Sequence, residues 1–307
     1  MKIATWNVNG IRARSAEVAE WAEREKPDVI CLQELKATAD QVPLMLCNLA
    51  GYWCYWHGNK AYSGVGLHVR RDFAPERPEF SRPPFDHESR IVTARIGELT
   101  VASIYVPNGN KDFAAKIRFL EAMQDFAAAF AANGAPLVLC GDLNVTIAEI
   151  DVHPRERRAN IVGQRPEERA LMRGILELGG LTDLGRALDP GNDRLFTWWA
   201  PWRSMRERNI GWRLDYVLAP AGLAERAVDC PAYREIGTSD HAPVVATFGD
   251  EPAAMRVAGA TGASPRDAAP ADRPGVARGR GGVVAAREDR AGCGAWSAPP
   301  RGGRAPS

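Results

Sequence analysis

Leu137–Cys140 is an unbroken apolar run that passes directly into Gly141-Asp142-Leu143-Asn144. A run this short and this uniformly apolar reads as a strand buried on both faces. Asp142 and Asn144 then fall where the strand ends, and strand-end loops are where α/β proteins keep their chemistry. Residues two apart in extended chain point the same way, which puts the carboxylate and the amide in position to serve one ligand. The competing reading is an Asx turn that closes the strand.

The rest of the chain supplies partners for that strand. Lys2–Val8 alternates like a strand and stops at Asn9-Gly10. Ser15 is placed to cap a helix over Ala16–Glu25, which Pro27 ends. Asp28–Gln33 is a second buried strand, and it delivers Glu34. Tyr52–His57 and Gly64–Arg70 read as a strand pair, as do Arg90–Ile96 and Leu99–Val106 about a turn at Gly97-Glu98. Asp112 opens a long helix to Ala132, and Pro166 opens another to Leu178. Between Asp151 and Gly163 lies a polar, Arg-rich loop. Arg213–Leu218 is a short strand with Asp215 inside it, and Val244–Phe248 is the last strand. Alternation of ββ and βα units predicts an α/β (α+β) four-layer sandwich, two packed mixed β-sheets flanked by helices. No Gly-rich phosphate loop or dinucleotide fingerprint is present.

Charge is distributed unevenly over the 307 residues, although the net is only +1. From Glu251 to the end there are nine Arg, no Lys and five acids, a net of +4, so the remainder carries −3. The segment 250–307 is rich in Ala, Gly, Pro and Arg with almost no large apolar residues. It cannot bury enough surface to offset chain entropy and reads as a disordered tail. The folded domain is therefore 1–249. The six cysteines are scattered without metal-ligand spacing, which argues against a structural zinc site. There is no charged-then-apolar leader, and no apolar run approaches the ~18 residues of a membrane span. The expectation is a soluble, cytoplasmic, monomeric protein.

Six motifs occur in order: Thr5-Trp6-Asn7-Val8-Asn9-Gly10-Ile11-Arg12, Leu32-Gln33-Glu34, Tyr105-Val106-Pro107-Asn108-Gly109, Gly141-Asp142-Leu143-Asn144, Gly211-Trp212-Arg213-Leu214-Asp215-Tyr216 and Ser239-Asp240-His241. Together they resemble the exonuclease III / apurinic-apyrimidinic (AP) endonuclease family of the DNase I-like superfamily, over residues 1 to about 249. The Gly211–Tyr216 segment and the Trp-rich stretch before it separate this branch from its phosphatase, sphingomyelinase and deadenylase relatives.

The resemblance implies Mg²⁺-dependent phosphodiester hydrolysis 5′ to abasic sites, with 3′-to-5′ exonuclease and 3′-end-processing activity and with Mn²⁺ able to substitute. Its implied partner is double-stranded DNA with abasic sites or blocked 3′ ends. Glu34 resembles the main metal ligand, with Asp240 as its counterpart and Asn7, Asn9, Asp142 and Asn144 around the ion. Asn9 stands where some members carry an Asp. Asp142 is similar to the residue that orients or deprotonates the attacking water. Asn144 would position that water, Tyr105 would donate to the phosphate or the leaving group, and His241 would contact the phosphate with its tautomer held by Asp215. Trp198, Trp212 and Leu214 would line an abasic-sugar pocket, with Trp202 as a wedge into the duplex. Arg12, Lys36, Tyr62, Asn108 and Arg206 match backbone-contacting positions. His57, His68, His87, His153 and Trp199 are read as structural. The alternatives are a general 3′-to-5′ exonuclease, a phosphomonoesterase or phospholipid phosphodiesterase on the same scaffold, and a catalytically silent DNA-binding module.

Overall fold

A computed structural model describes residues 1–47, 49–59 and 62–250. The tail read over 250–307 therefore lies, apart from Asp250, outside the described residues. Among the described residues, twelve strands form two six-stranded mixed sheets. The first has the order β11 (Ala227–Asp229), β12 (Val244–Phe248), β1 (Lys2–Asn7), β2 (Val29–Gln33), β4 (Tyr62–Arg70) and β3 (Tyr52–Asn59). The second has the order β5 (Glu79–Ser81), β6 (Ile91–Ile96), β7 (Leu99–Tyr105), β8 (Leu137–Asp142), β10 (Asp215–Pro220) and β9 (Leu181–Asp183). Six helices accompany them: α1 (Ser15–Glu25), α2 (Leu44–Cys47), α3 (Phe113–Ala132), α4 (Pro166–Gly179), α5 (Leu184–Leu188) and α6 (Ala221–Ala224).

The unbroken apolar runs follow from burial on both faces of each sheet. In β8, Val138 and Cys140 point into the core between the sheets. Leu137 and Leu139 point outward under α3 and α4, against Leu120, Met123, Met172 and Ile175. In β1, Ile3 faces the inter-sheet core, while Ala4 and Trp6 pack outward with Val18 and Trp21 of α1. The strand period of two is present, but both registers are apolar because both sides are dry. Gly141 keeps the sheet closed. A Cβ at that position would lie 1.8 Å from the Ile104 carbonyl oxygen of the neighbouring strand, so no side chain fits.

Local details depart from the sequence reading in two places, at Ser15 and Asp215, and follow it at Asp112. Ser15 is the first residue of α1 rather than its cap; Arg14 takes the cap position and makes no side-chain capping bond. Asp112 does cap α3, accepting from the Ala115 amide at 2.9 Å. Asp215 opens β10 instead of lying within it. No helix among the described residues is long and apolar enough to cross a membrane.

Beside the site runs a buried ionic bridge. Arg213 donates to Asp151 Oδ1 at 2.8 Å and bidentately to Asp183 at 2.8 and 2.6 Å, and Arg186 joins Asp151 at 2.7 Å. Arg213 is 2 % exposed and Asp151 1 %. Removing one partner of a pair this dry leaves the others uncompensated. Arg213→Met is expected to lower stability by about 3–5 kcal/mol, measured as a shift in denaturant midpoint. A midpoint unchanged from wild type would refute that weight.

Candidate active site

The functional side chains meet at one end of the two sheets. β1 runs parallel to β2, and β7 parallel to β8. Their C-terminal ends deliver Asn7, Glu34, Tyr105 and Asp142. β10 is antiparallel to β8 and β12 to β1, so the start of β10 and the loop before β12 return to the same end with Asp215 and His241. Register sets Tyr105 and Asp215 directly opposite Asp142 on either side.

Asn7 is the hub. Its Nδ2 donates to Glu34 Oε1 at 2.9 Å and to Asp142 Oδ2 at 2.8 Å, and lies 3.3 Å from His241 Nε2. Tyr105 donates its hydroxyl to Glu34 Oε1 at 2.9 Å. Asn144 donates its amide to Asp142 Oδ1 at 3.0 Å and its Nδ2 to Asp142 Oδ2 at 3.2 Å. The chain there is not extended, because Asn144 has φ +51°. It is an Asx turn, as the competing sequence reading has it; the extended-chain geometry expected for Asp142 and Asn144 is replaced by the turn, which itself brings the two side chains together. Asn9, Glu34 and Lys36 also take the left-handed region, a conformation that clusters at functional sites.

His241 is held from behind. Its Nδ1 lies 2.8 Å from Asp215 Oδ2. That oxygen also accepts from the Thr197 hydroxyl at 2.7 Å, and Thr197 Oγ1 in turn accepts from the Leu214 and Asp215 amides. Thr197 was not singled out from the sequence, although it sits one residue before Trp198. Also unforeseen is a buried polar ladder beneath the site. Thr5 donates to Gln33 Oε1 at 3.1 Å, and Gln33 Nε2 donates to Ser103 Oγ at 3.2 Å, which ties one sheet to the other.

The electrostatics are those of crowded, buried acids. Burial pushes the Asp142 carboxyl up, to about 7; His241 opposes the shift, and Asp215 and Glu34 add to it. Burial alone lowers His241, but Asp215 and Asp142 outweigh it and raise the imidazole to about 10. Glu34 is raised by burial and more than offset by Asn7 and Lys36, ending below its ordinary value. Tyr105 is raised well above the ordinary phenol range by burial and by Glu34 and Asp142, so it stays a neutral donor.

Glu34, Asp142 and His241 offer ligand atoms that all lie within 4.8 Å of one another. Asp142 at 1 % exposure and Asp215 at 2 % are too buried for water to balance their charge, and Asp215 Oδ1 has no hydrogen-bond partner. The Glu34 and Asp142 carboxylates, with ligand atoms within 4.8 Å of each other, form a hard oxygen donor set, which fits a divalent cation.

Asp240 does not join that group. It is linked to it through a relay in which Lys36 pairs with Glu34 Oε2 at 2.8 Å and donates to Asn9 Oδ1 at 2.5 Å, and Asn9 donates to Asp240 Oδ1 at 2.8 Å. Trp198 donates to Asp240 Oδ2 at 3.0 Å. Its ring packs edge-to-face on Trp212 at 5.7 Å and lies 6.5 Å from His241. Leu214 is buried. Asn108 reaches Asn144 Oδ1 at 3.3 Å. Arg12 is exposed, as are Tyr62 at 55 % and Trp202 at 59 %, so these three present themselves to a large ligand. Arg206 does not. Its guanidinium donates to the carbonyls of Arg234, Ile236 and Ser239 and lies over the Trp199 ring. It clamps the loop that carries Asp240 and His241.

A family model described as "Endonuclease/Exonuclease/phosphatase family" matches residues 4–241. The DNA repair nuclease APEX1 of Danio rerio is 34 % identical over 253 residues, covering 80 % of this chain and 81 % of that one. An exodeoxyribonuclease of Bacillus subtilis is 31 % identical over 80 % of this chain and 98 % of its own. Among solved structures, an AP endonuclease from Archaeoglobus fulgidus superposes with a TM-score of 0.72 at 33 % identity, over 81 % of this chain and 99 % of that one. A 3′ phosphatase from Neisseria bound to a product DNA hairpin gives 0.74 at 31 %, with the same coverage. The six motif segments, the two-sheet sandwich and the buried acid–histidine cluster thus have a common origin: this chain belongs to the endonuclease/exonuclease/phosphatase family and, within it, to the exodeoxyribonuclease III and AP endonuclease group of DNA repair nucleases.

Proposed function

We propose that the protein is a Mg²⁺-dependent nuclease that hydrolyses the phosphodiester 5′ to an abasic site in double-stranded DNA. It acts as a monomer and also trims and cleans 3′ ends. The observation that carries the abasic preference is the Trp198–Trp212 pair, set edge-to-face beside His241. Two rigid aromatic walls next to the reacting phosphate admit a bare deoxyribose and crowd out a nucleotide with its base. Extruding a site that has already lost its base forfeits little stacking, which adds to the discrimination.

Glu34 and Asp142 would hold the cation, which when bound neutralises phosphoryl oxygens and acidifies water. Asp142 orients the attacking water and accepts its proton. Asn144 and Asn108 fix the water and a phosphate oxygen. His241, kept charged by Asp215, donates from Nε2 to the phosphate, and the neutral Tyr105 hydroxyl stands by the leaving oxygen. Arg12, Lys36, Tyr62 and Trp202 meet the duplex, with phosphate contacts that set register and carry no sequence information.

The test is a Mg²⁺-dependent cleavage assay on duplexes with and without one abasic analogue, with an inositol phosphate as control substrate. Preferential incision 5′ to the analogue is the expected result; equal cutting of both duplexes, or turnover of the inositol phosphate alone, overturns it. Trp212→Ala is expected to cut abasic incision by roughly 10- to 100-fold while cation binding stays at the wild-type level. Parallel loss of both would count against the pocket.

A further inference from the structure

Among the described residues, Lys116 is the one lysine buried at 0 % exposure. It enters from α3 and reaches inward beneath the loops. Its Nζ donates to the Asn144 carbonyl at 2.7 Å and to the Asn108 carbonyl at 3.1 Å, and it pairs with Glu168 Oε1 at 2.5 Å. Glu168, also 0 % exposed, comes from the first turn of α4. Its carboxylate accepts from the Gly163 amide with both oxygens, at 3.0 and 2.8 Å, and from the Arg165 amide at 3.1 Å. Complete burial excludes Lys116 from DNA phosphates. It also rules out the ordinary reason a nuclease carries a lysine near its centre.

The pair reaches three separate loops. The Asn108 carbonyl belongs to the loop after β7, the Asn144 carbonyl to the loop after β8, and Gly163 to the segment that leads into α4. Each loop carries or touches a functional group. Asn144 bonds Asp142, Asn108 bonds Asn144, and Gly163 lies against Trp212, where a Cβ would come within 3.0 Å of the indole ring. The glycines are shaped to the pair. Gly109 has φ +87° and lies where a Cβ would meet the Lys116 side chain at 2.7 Å.

We propose that Lys116 and Glu168 are positioning residues that fix, through backbone groups alone, the placement of Asn144 and Asn108 against Asp142 and of Gly163 against Trp212. The proposal rests on the roles given to Asn144 and Trp212 above. A buried ion pair is weak evidence of a stabilising role, since apolar residues of similar volume often serve stability equally well. They cannot hold two carbonyls and two amides in one arrangement. A misplacement of the order of 1 Å at a reacting centre costs about a hundredfold in rate.

The double variant Lys116→Met/Glu168→Leu in the full chain separates the two roles. It is expected to stay folded at a lowered melting temperature, since four backbone groups lose their partners, and to bind duplex DNA with an unchanged KM, with kcat down about a hundredfold. Full kcat in the folded double variant overturns the proposal. Glu168→Gln, which keeps shape and loosens the hold on Lys116, is the second variant; it is expected to stay folded at a lower Tm, because the buried ammonium is left with a neutral partner, and to lower kcat about tenfold. Should the double variant fail to fold, wild-type kcat in Glu168→Gln overturns the proposal by itself. Both are assayed on an abasic duplex and on undamaged 3′ ends. A wild type that degrades only the undamaged ends defeats the abasic reading, while the ratio of variant to wild type on those ends still decides the role of the pair.

Discussion

Asp142→Asn is expected to lower DNA cleavage on the order of 10³- to 10⁴-fold and to leave duplex affinity close to wild type. The carboxylate is 1 % exposed and sits below the surface that a duplex meets. Its hydrogen bonds run to Asn7 and Asn144, both inside the cluster. An asparagine keeps the shape and one acceptor but cannot take a proton from water. It also removes one of the crowded buried acids, so the fold should not weaken by more than the loss of one internal hydrogen bond, about 1 kcal/mol. Single-turnover cleavage, duplex binding and thermal melting on the same preparation check all three statements. Unchanged turnover would remove Asp142 from the chemistry. A turnover loss matched by an equal loss of binding would make its role one of holding DNA.

How far the sequence discloses this site depends on the kind of interaction. Strands β1, β2, β7 and β8 are legible because burial on both faces makes them apolar throughout, and their polar exits stand out for the same reason. Asp142, Glu34 and Asn7 stand at those exits, His241 is marked only by its motif ahead of β12, and the structure brings the four together. The three-residue strands β5, β9 and β11 are not legible, since three residues carry no period against which to read them. Asp240 shows a different limit. Its motif is expected to set it beside the other acids, and the structure joins it to Glu34 through Lys36 and Asn9. Only the three-dimensional path of two left-handed residues decides that.

Supporting residues are the hardest to see. Lys116 falls among Phe113, Ile117 and Leu120 on a helix and reads as one more polar position in an amphipathic pattern, yet it is completely buried. Arg206 reads as a phosphate ligand from its charge and its neighbours, yet its donors are turned onto carbonyls of the Arg234–Ser239 loop. In both cases charge is visible in the sequence and direction is not. A cation beside backbone carbonyls and a cation beside phosphate have the same one-letter code.

Direction also decides the second large effect. Asp215→Asn is expected to slow cleavage on the order of 10³-fold at neutral pH, and to do so by changing a charge, with the ring held in the same orientation. The Thr197 hydroxyl accepts two backbone amides, so its proton is committed to Asp215 Oδ2. An asparagine can set its carbonyl oxygen there and still accept from Thr197 and from His241 Nδ1. What it lacks is the negative charge that, with Asp142, lifts the imidazole from 6.5 to about 10. Without it, burial pulls the imidazole down, and the histidinium proposed to meet the phosphate is lost at a lower pH. The basic limb of the kcat profile therefore moves toward acid, and the deficit is smaller at about pH 6 than at about pH 8. Stability follows the same sign. A histidine whose folded pKa is raised stabilises the protein fully below its unfolded value of 6.5 and loses that contribution as pH rises through about 10. The melting-temperature deficit of the variant is then largest in acid and fades in base. A basic limb that stays in place in Asp215→Asn would mean that Asp215 orients His241 without sustaining its charge, and a deficit independent of pH in both rate and melting would mean that it only packs.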